Sequence, residues 1–135
     1  MAKYAAYGTA LKLDGTAYAN VTNISGPGLS LDTEDVTSHD STGAWEEVVG
    51  TILRSGEITL DLVYDPANAT HDASTGLIAK MVARTSDEYT LVFSDSGSTT
   101  WTFDAYVTGF EPSASVDGAL TASATFKLTG QPTLA

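Results

Sequence analysis

Cysteine is absent from this chain of 135 residues, which excludes a disulfide framework and a thiolate zinc site and leaves no redox mark of its compartment. Cations are scarce. Six Lys and Arg stand singly against 17 Asp and Glu, for a formal net charge of -11. Nucleic-acid binding draws its affinity from basic side chains at the phosphate backbone. The balance therefore speaks against a nucleic-acid reader, while leaving room for a surface past which DNA moves without being held. No run of about 18 apolar residues occurs, so no membrane-spanning helix is expected. The first ten residues, Met1 to Ala10, are broken by Tyr, Gly and Thr before an apolar core of signal length forms, and no secretion signal is expected. The motifs of common catalysts are missing as well: no Gly-x-Ser-x-Gly elbow, no phosphate-cradling glycine loop, no His-Glu-x-x-His segment. Neither enzymatic activity nor a cofactor is expected.

With 42% hydrophobic and 17% charged residues, the composition is that of one globular domain spanning residues 1–135. Period-2 alternation dominates. In Glu57 to Tyr64, Ile58, Leu60, Leu62 and Tyr64 share one face, while Glu57, Thr59 and Asp61 share the other. Trp101 to Val107 and Ala119 to Leu128 repeat the pattern, and shorter candidates run over Thr9 to Leu13, Tyr18 to Ile24, Leu29 to Val36 and Tyr89 to Phe93. Asp14-Gly15, Gly26-Pro27-Gly28 and Ser96-Gly97 mark turns between them, Asp14-Gly15 as a tight hairpin. From Ser74 to Arg84, Leu77, Ile78, Met81 and Val82 make a narrow apolar stripe, predicting one helix with Asp72, Ser74 or Thr75 as N-cap. Seven strands around one helix without βαβ alternation predict a mainly β fold: an antiparallel β-sandwich or barrel-like domain with one flanking α-helix.

Between Val36 and Glu57 the alternation stops for about 20 residues, and loops longer than roughly 12 to 15 residues are uncommon in compact domains and usually functional. This long inter-strand loop carries Trp45, Val48, Val49, Ile52 and Leu53, more apolar surface than a solvated loop tolerates. Trp45 lies off any alternating strand, and either packs beneath its own loop or anchors against another subunit. Two His-Asp dipeptides, His39-Asp40 and His71-Asp72, raise the rival of a metal-dependent hydrolase, but no acid at helical spacing joins them, and capping or turn roles account for them better. Asp32, Glu34 and Asp35 lack the Gly and Glu spacing of a calcium loop and read as a solvated acidic face. No metal site is expected.

The stretch Ser25 to Glu47, with Asp35-Val36-Thr37-Ser38-His39-Asp40 leading to Trp45, resembles the major tail tube proteins of siphophages. The resemblance continues through Gly56-Glu57-Ile58 into Tyr64-Asp65-Pro66, then Thr70-His71-Asp72, the helix and a short C-terminal strand after Pro112. It implies a virion structural protein, assembled in the host cytoplasm, whose copies form six-membered rings stacked into the tail tube through which DNA is ejected. It implies that sheets of neighbouring subunits join around the channel. The loop with His39, Asp40, Trp45, Val48, Val49, Ile52 and Leu53 then becomes the subunit interface. Asp32, Glu34, Glu57, Asp61 and Asp104 become the lumen-facing acids, past which DNA slips without specific binding. The implied partners are further copies of the chain, a tape measure protein, and terminator and tail-tip proteins; no membrane is involved. The alternative is a monomeric β-sandwich binding module of a virion or cell surface, which would expose an aromatic platform.

Overall fold

The structure, a computed structural model, describes residues 3–13 and 15–134. Nine strands and one α-helix follow in the order β1 (Ala10–Leu13), β2 (Thr16–Ala17), β3 (Val21–Ser25), β4 (Ser30–Asp35), β5 (Val48–Arg54), β6 (Glu57–Val63), α1 (Leu77–Ala83), β7 (Asp87–Val92), β8 (Thr100–Ala114) and β9 (Leu120–Leu134) among the described residues. Seven strands form one antiparallel sheet in the order β2-β1-β7-β8-β9-β6-β3, and β4 pairs with β5 alone. The fold is mainly β with one helix, as the alternation requires. β2 and β3, the two ends of the large sheet, are separated in sequence only by Tyr18 to Asn20, so the sheet must curl until its ends meet there. It does not close as a barrel, because no ladder joins β2 to β3.

Alternation places the core. In β6, Ile58, Leu60 and Leu62 are buried while Glu57 and Val63 are exposed. The same face carries Leu11, Leu91, Phe103, Ala124 and Phe126, each nearly or fully buried. Burying one such aliphatic or aromatic side chain contributes about 1.5–3 kcal/mol. Tyr89 centres an aromatic cluster, 5.1 Å from Phe126 and 6.4 Å from both Tyr18 and Phe103. Helix α1 closes over this face through Leu77. It is shorter than the stripe predicts. Gly76 is the N-cap, Arg84 in left-handed conformation ends the helix, and Val82 stays exposed. Asp72 still caps the turn that leads in, its Oδ1 accepting from the N–H groups of Ser74, Thr75 and Gly76.

Three expectations need correction. The segment after Val36 is not a loop throughout, because Val48–Arg54 is strand β5, hydrogen-bonded along β4. Its seven residues are all exposed, so neither face was selected to be dry within the chain and no polar-apolar alternation marks it. The strand after Pro112 is not short either. β8 runs straight through Pro112, and β9 spans 15 residues. Proline is tolerated there because β8 has no second neighbour at that level. β2 was also missed, two residues being too few to carry a pattern. Leu13 pairs with Thr16 across the expected hairpin, with Gly15 at φ +81°, whereas Asp14 lies outside the described residues.

Candidate assembly surfaces

Strands β4 and β5 form an arm that leaves the body at two glycines. Gly26 and Gly56 both have positive φ, and a Cβ on Gly56 would run into the backbone of Gly28. Any larger residue there would push the arm off its line of departure. At the far end the chain turns through an ordered knot. Ser41 Oγ accepts from the Ser38 N–H and donates to Glu47 Oε2, both at 3.0 Å. The Glu47 N–H donates to Thr37 Oγ1 at 2.8 Å, and the Val36 N–H to the Glu47 carbonyl at 2.9 Å. A short 3-10 turn over Thr42–Ala44 follows, and the Trp45 N–H bonds back to the Thr42 carbonyl.

That framework holds Trp45 outward. Trp45 is 78% exposed, Leu53 is 80% exposed, and Val48, Val49 and Ile52 on the same arm are exposed too. His39 and Asp40 sit exposed at the same tip. All seven residues expected to form the interface thus belong to one arm. Leu29, Leu31 and Val36 add to its open apolar surface. An isolated two-stranded hairpin is marginal in water, and this one leaves its apolar side chains uncovered by its own body.

The five acids do not share a face. Glu57 and Asp61 point from β6 to the polar side of the large sheet, and Asp104 does so from β8. Cross-strand neighbours make that side a carpet of hydroxyls and charges: Thr59 opposes Thr125, Asp61 opposes Ser123, and Glu57 opposes Lys127. Glu88 opposes Asp104, adding another carboxylate that sequence reasoning did not single out. Asp32 and Glu34 lie on β4 in the arm instead. There Asp32 is paired with Arg54 at 2.8 Å.

The two histidines are far apart in role. His39 is on the exposed tip, whereas His71 is fully buried in the body. His71 Nδ1 accepts from the Asp65 N–H at 3.2 Å, and Nε2 faces the Ala19 carbonyl at 2.7 Å, which it meets as donor in the neutral tautomer. Both ring nitrogens are therefore engaged by backbone, pinning the loop before α1 to the seam between β2 and β3. No group of three or more His, Cys, Asp or Glu side chains placed to hold a metal occurs among the described residues. No helix there is long and apolar enough to cross a membrane. Of the aromatics, Phe103 is buried, and Trp101 packs edge-on against Phe93 at 5.1 Å.

Among curated proteins no sequence matches. Solved structures share the fold at low identity. A chain from the virion of a native gene transfer agent particle superposes with a TM-score of 0.78 at 19% identity, over 98% of this chain and 99% of that one. A chain from the tail of an empty gene transfer agent particle, computed with helical refinement and C6 symmetry, gives 0.70 at 21%, over 94% and 95%. A chain from the sheath/tube terminator of an extracellular contractile injection system in its extended state gives 0.75 at 14%, over 100% and 98%. The sequence itself matches the model of the lambda phage tail tube protein over residues 4–135. With nearly the whole length matched, the chain belongs to the lambda phage tail tube protein family, non-enzymatic structural components of the virion tail.

Proposed function

We propose that this chain is the repeating subunit of the tail tube of a long-tailed siphophage, forming six-membered rings that stack into a hollow conduit for DNA ejection. One observation carries the reading: an ordered arm presents Trp45, Ile52 and Leu53 to solvent, uncovered by any of the described residues. Such a feature gains stability only against another molecule. The sheets of adjacent copies join around the bore, and six copies per ring matches the C6 symmetry of the gene transfer agent tail that shares the fold. Glu57, Asp61 and Asp104 then line the channel from the polar side of the sheet, while Asp32 and Glu34 travel with the arm to its contacts. Lumen carboxylates repel phosphate, so DNA passes without counterion release to reward sticking. A tape measure protein fills the bore during assembly, and terminator and tail-tip proteins close its ends. Assembly takes place in the host cytoplasm, and DNA passes only through the finished tail.

Negative-stain microscopy of the purified chain tests the reading. Hollow rings or tubes are expected. A 14.0 kDa species that stays monomeric at every concentration favours instead a free-standing binding module.

A further inference from the structure

A cleft opens where the core face of the large sheet runs out. Trp101 opposes the buried Leu91 across β7 and β8, and Phe93 follows two residues after Leu91, so both rings stand at the end of that face. They meet edge-on, with centroids 5.1 Å apart and planes at 80°. Opposite them runs the segment that leads into β1, bearing Tyr4, which is 57% exposed. Three hydrogen bonds fix its course: Ser94 Oγ donates to the Ala5 carbonyl, Thr9 Oγ1 to Ser94 Oγ at 3.4 Å, and the Thr9 N–H to the Ala6 carbonyl at 3.1 Å. The space between has a volume of about 440 Å³ and is lined mainly by apolar surface. Among the described residues that line it, Asp95 carries the one charge, and it makes no ion pair with them. Its carboxylate accepts from the Thr99 N–H at 2.7 Å and from the Thr99 hydroxyl at 2.6 Å. Both bonds favour the ionised form, so the charge is present at neutral pH.

We infer that this cleft binds a small quaternary ammonium cation, with its methyl groups against Tyr4, Phe93 and Trp101 and its charge toward Asp95. The inference stands apart from the tube reading, since none of these residues belongs to the arm or to the acidic side of the sheet. Charge complementarity selects the guest. A purely apolar guest would strip water from the Asp95 carboxylate with nothing to offset that cost. An anion would be repelled by Asp95 and by the negative faces of the rings. A primary ammonium is held back by its own strong hydration. A methylated cation sheds water readily, and ring faces attract its spread charge within about 6 Å of their centroids.

The chain has two Trp residues, so Trp45→Phe leaves Trp101 as its one indole. Titrating this variant with choline chloride should change Trp101 fluorescence saturably, with half-saturation below about 20 mM. 3,3-Dimethylbutanol has the same shape without the charge, and ammonium chloride has the charge without the methyl groups; each should bind about tenfold more weakly or worse. Adding Asp95→Asn, which keeps an acceptor for Thr99, should weaken choline about fivefold. Adding Tyr4→Ala, which removes one exposed wall and nothing from the core, should weaken it about threefold. No saturable response to choline overturns the site. Equal binding of the alcohol would show an apolar cleft without a cation preference, and an equal response to ammonium would show only the pull of an acidic surface; either result overturns the inference. Unchanged affinity in both added variants would place the bound cation elsewhere and overturns it as well.

Discussion

Single residues couple the stability of the folded subunit to pH. Backbone N–H groups of Thr75, Ser74 and Gly76 hold the Asp72 carboxyl below its ordinary value of 3.8. Thr37 does the same for Asp35, and Thr99 for Asp95. A depressed carboxylate contributes stability that is present above the unfolded pKa and lost as pH falls through the folded one. The unfolding midpoint of the monomer should therefore drop below about pH 3.8, and Asp72→Asn, which keeps the acceptor but cannot titrate, should drop less steeply in thermal scans. Tyr89 behaves oppositely. Burial pushes its hydroxyl up to about 12, so its contribution is complete below pH 10 and vanishes as pH rises toward about 12. Tyr89→Phe should shallow that alkaline loss. Gly76 is a steric case: a Cβ would stand 2.5 Å from the Asp72 nitrogen and 2.6 Å from the His71 carbonyl carbon. Gly76→Ala should cost about 2 kcal/mol, seen as a midpoint roughly 6–10 °C lower.

At the scale of elements, the arm and the body are separate in energy. Trp45 supports nothing in its own domain, so Trp45→Ala should leave the monomer's unfolding midpoint within about 1 °C of the parent while abolishing rings in size-exclusion chromatography. A variant that loses both would mean the arm props up the fold. The body was legible from alternation: β6, the first half of β8 and β9 were read nearly residue by residue, because one face of each is dry within the chain. β5 was not legible as a strand, although its apolar content raised the expectation of an interface. Alternation records burial inside one molecule, and β5 has none. Helix α1 was placed correctly but overrun at its start, since the turn capped by Asp72 resembles a first helical turn in composition.

For the whole molecule, the net charge of -11 bears on the proposed association. A ring of six copies would carry roughly -66, as an upper figure before screening. Bringing subunits together works against that repulsion, which salt weakens over a Debye length of about 10 Å at 0.1 M. Raising ionic strength from about 0.01 to 0.5 M should lower the protein concentration at which light scattering first reports tubes. The same field should keep duplex DNA from shifting with the subunit in a gel at either salt. Faster assembly at low salt would indicate an interface held by ion pairs rather than by apolar contact and strand edges.

The sequence by itself determined the properties that depend on near neighbours or on sums: strand period, turn chemistry, the missing catalytic motifs, the acidic surplus and the apolar excess between Val36 and Glu57. These need no knowledge of which strand lies beside which. Tertiary structure alone decided the rest. It split the five acids between sheet face and arm, buried His71 at the seam, and left β3 and the second half of β8 without outer partners. Each of those outcomes depends on strand neighbours set by long-range pairing, such as Asn23 opposite Asp61 or Glu57 opposite Lys127. Local pattern shows that a strand has a dry face; it carries no record of what lies along the strand's edge.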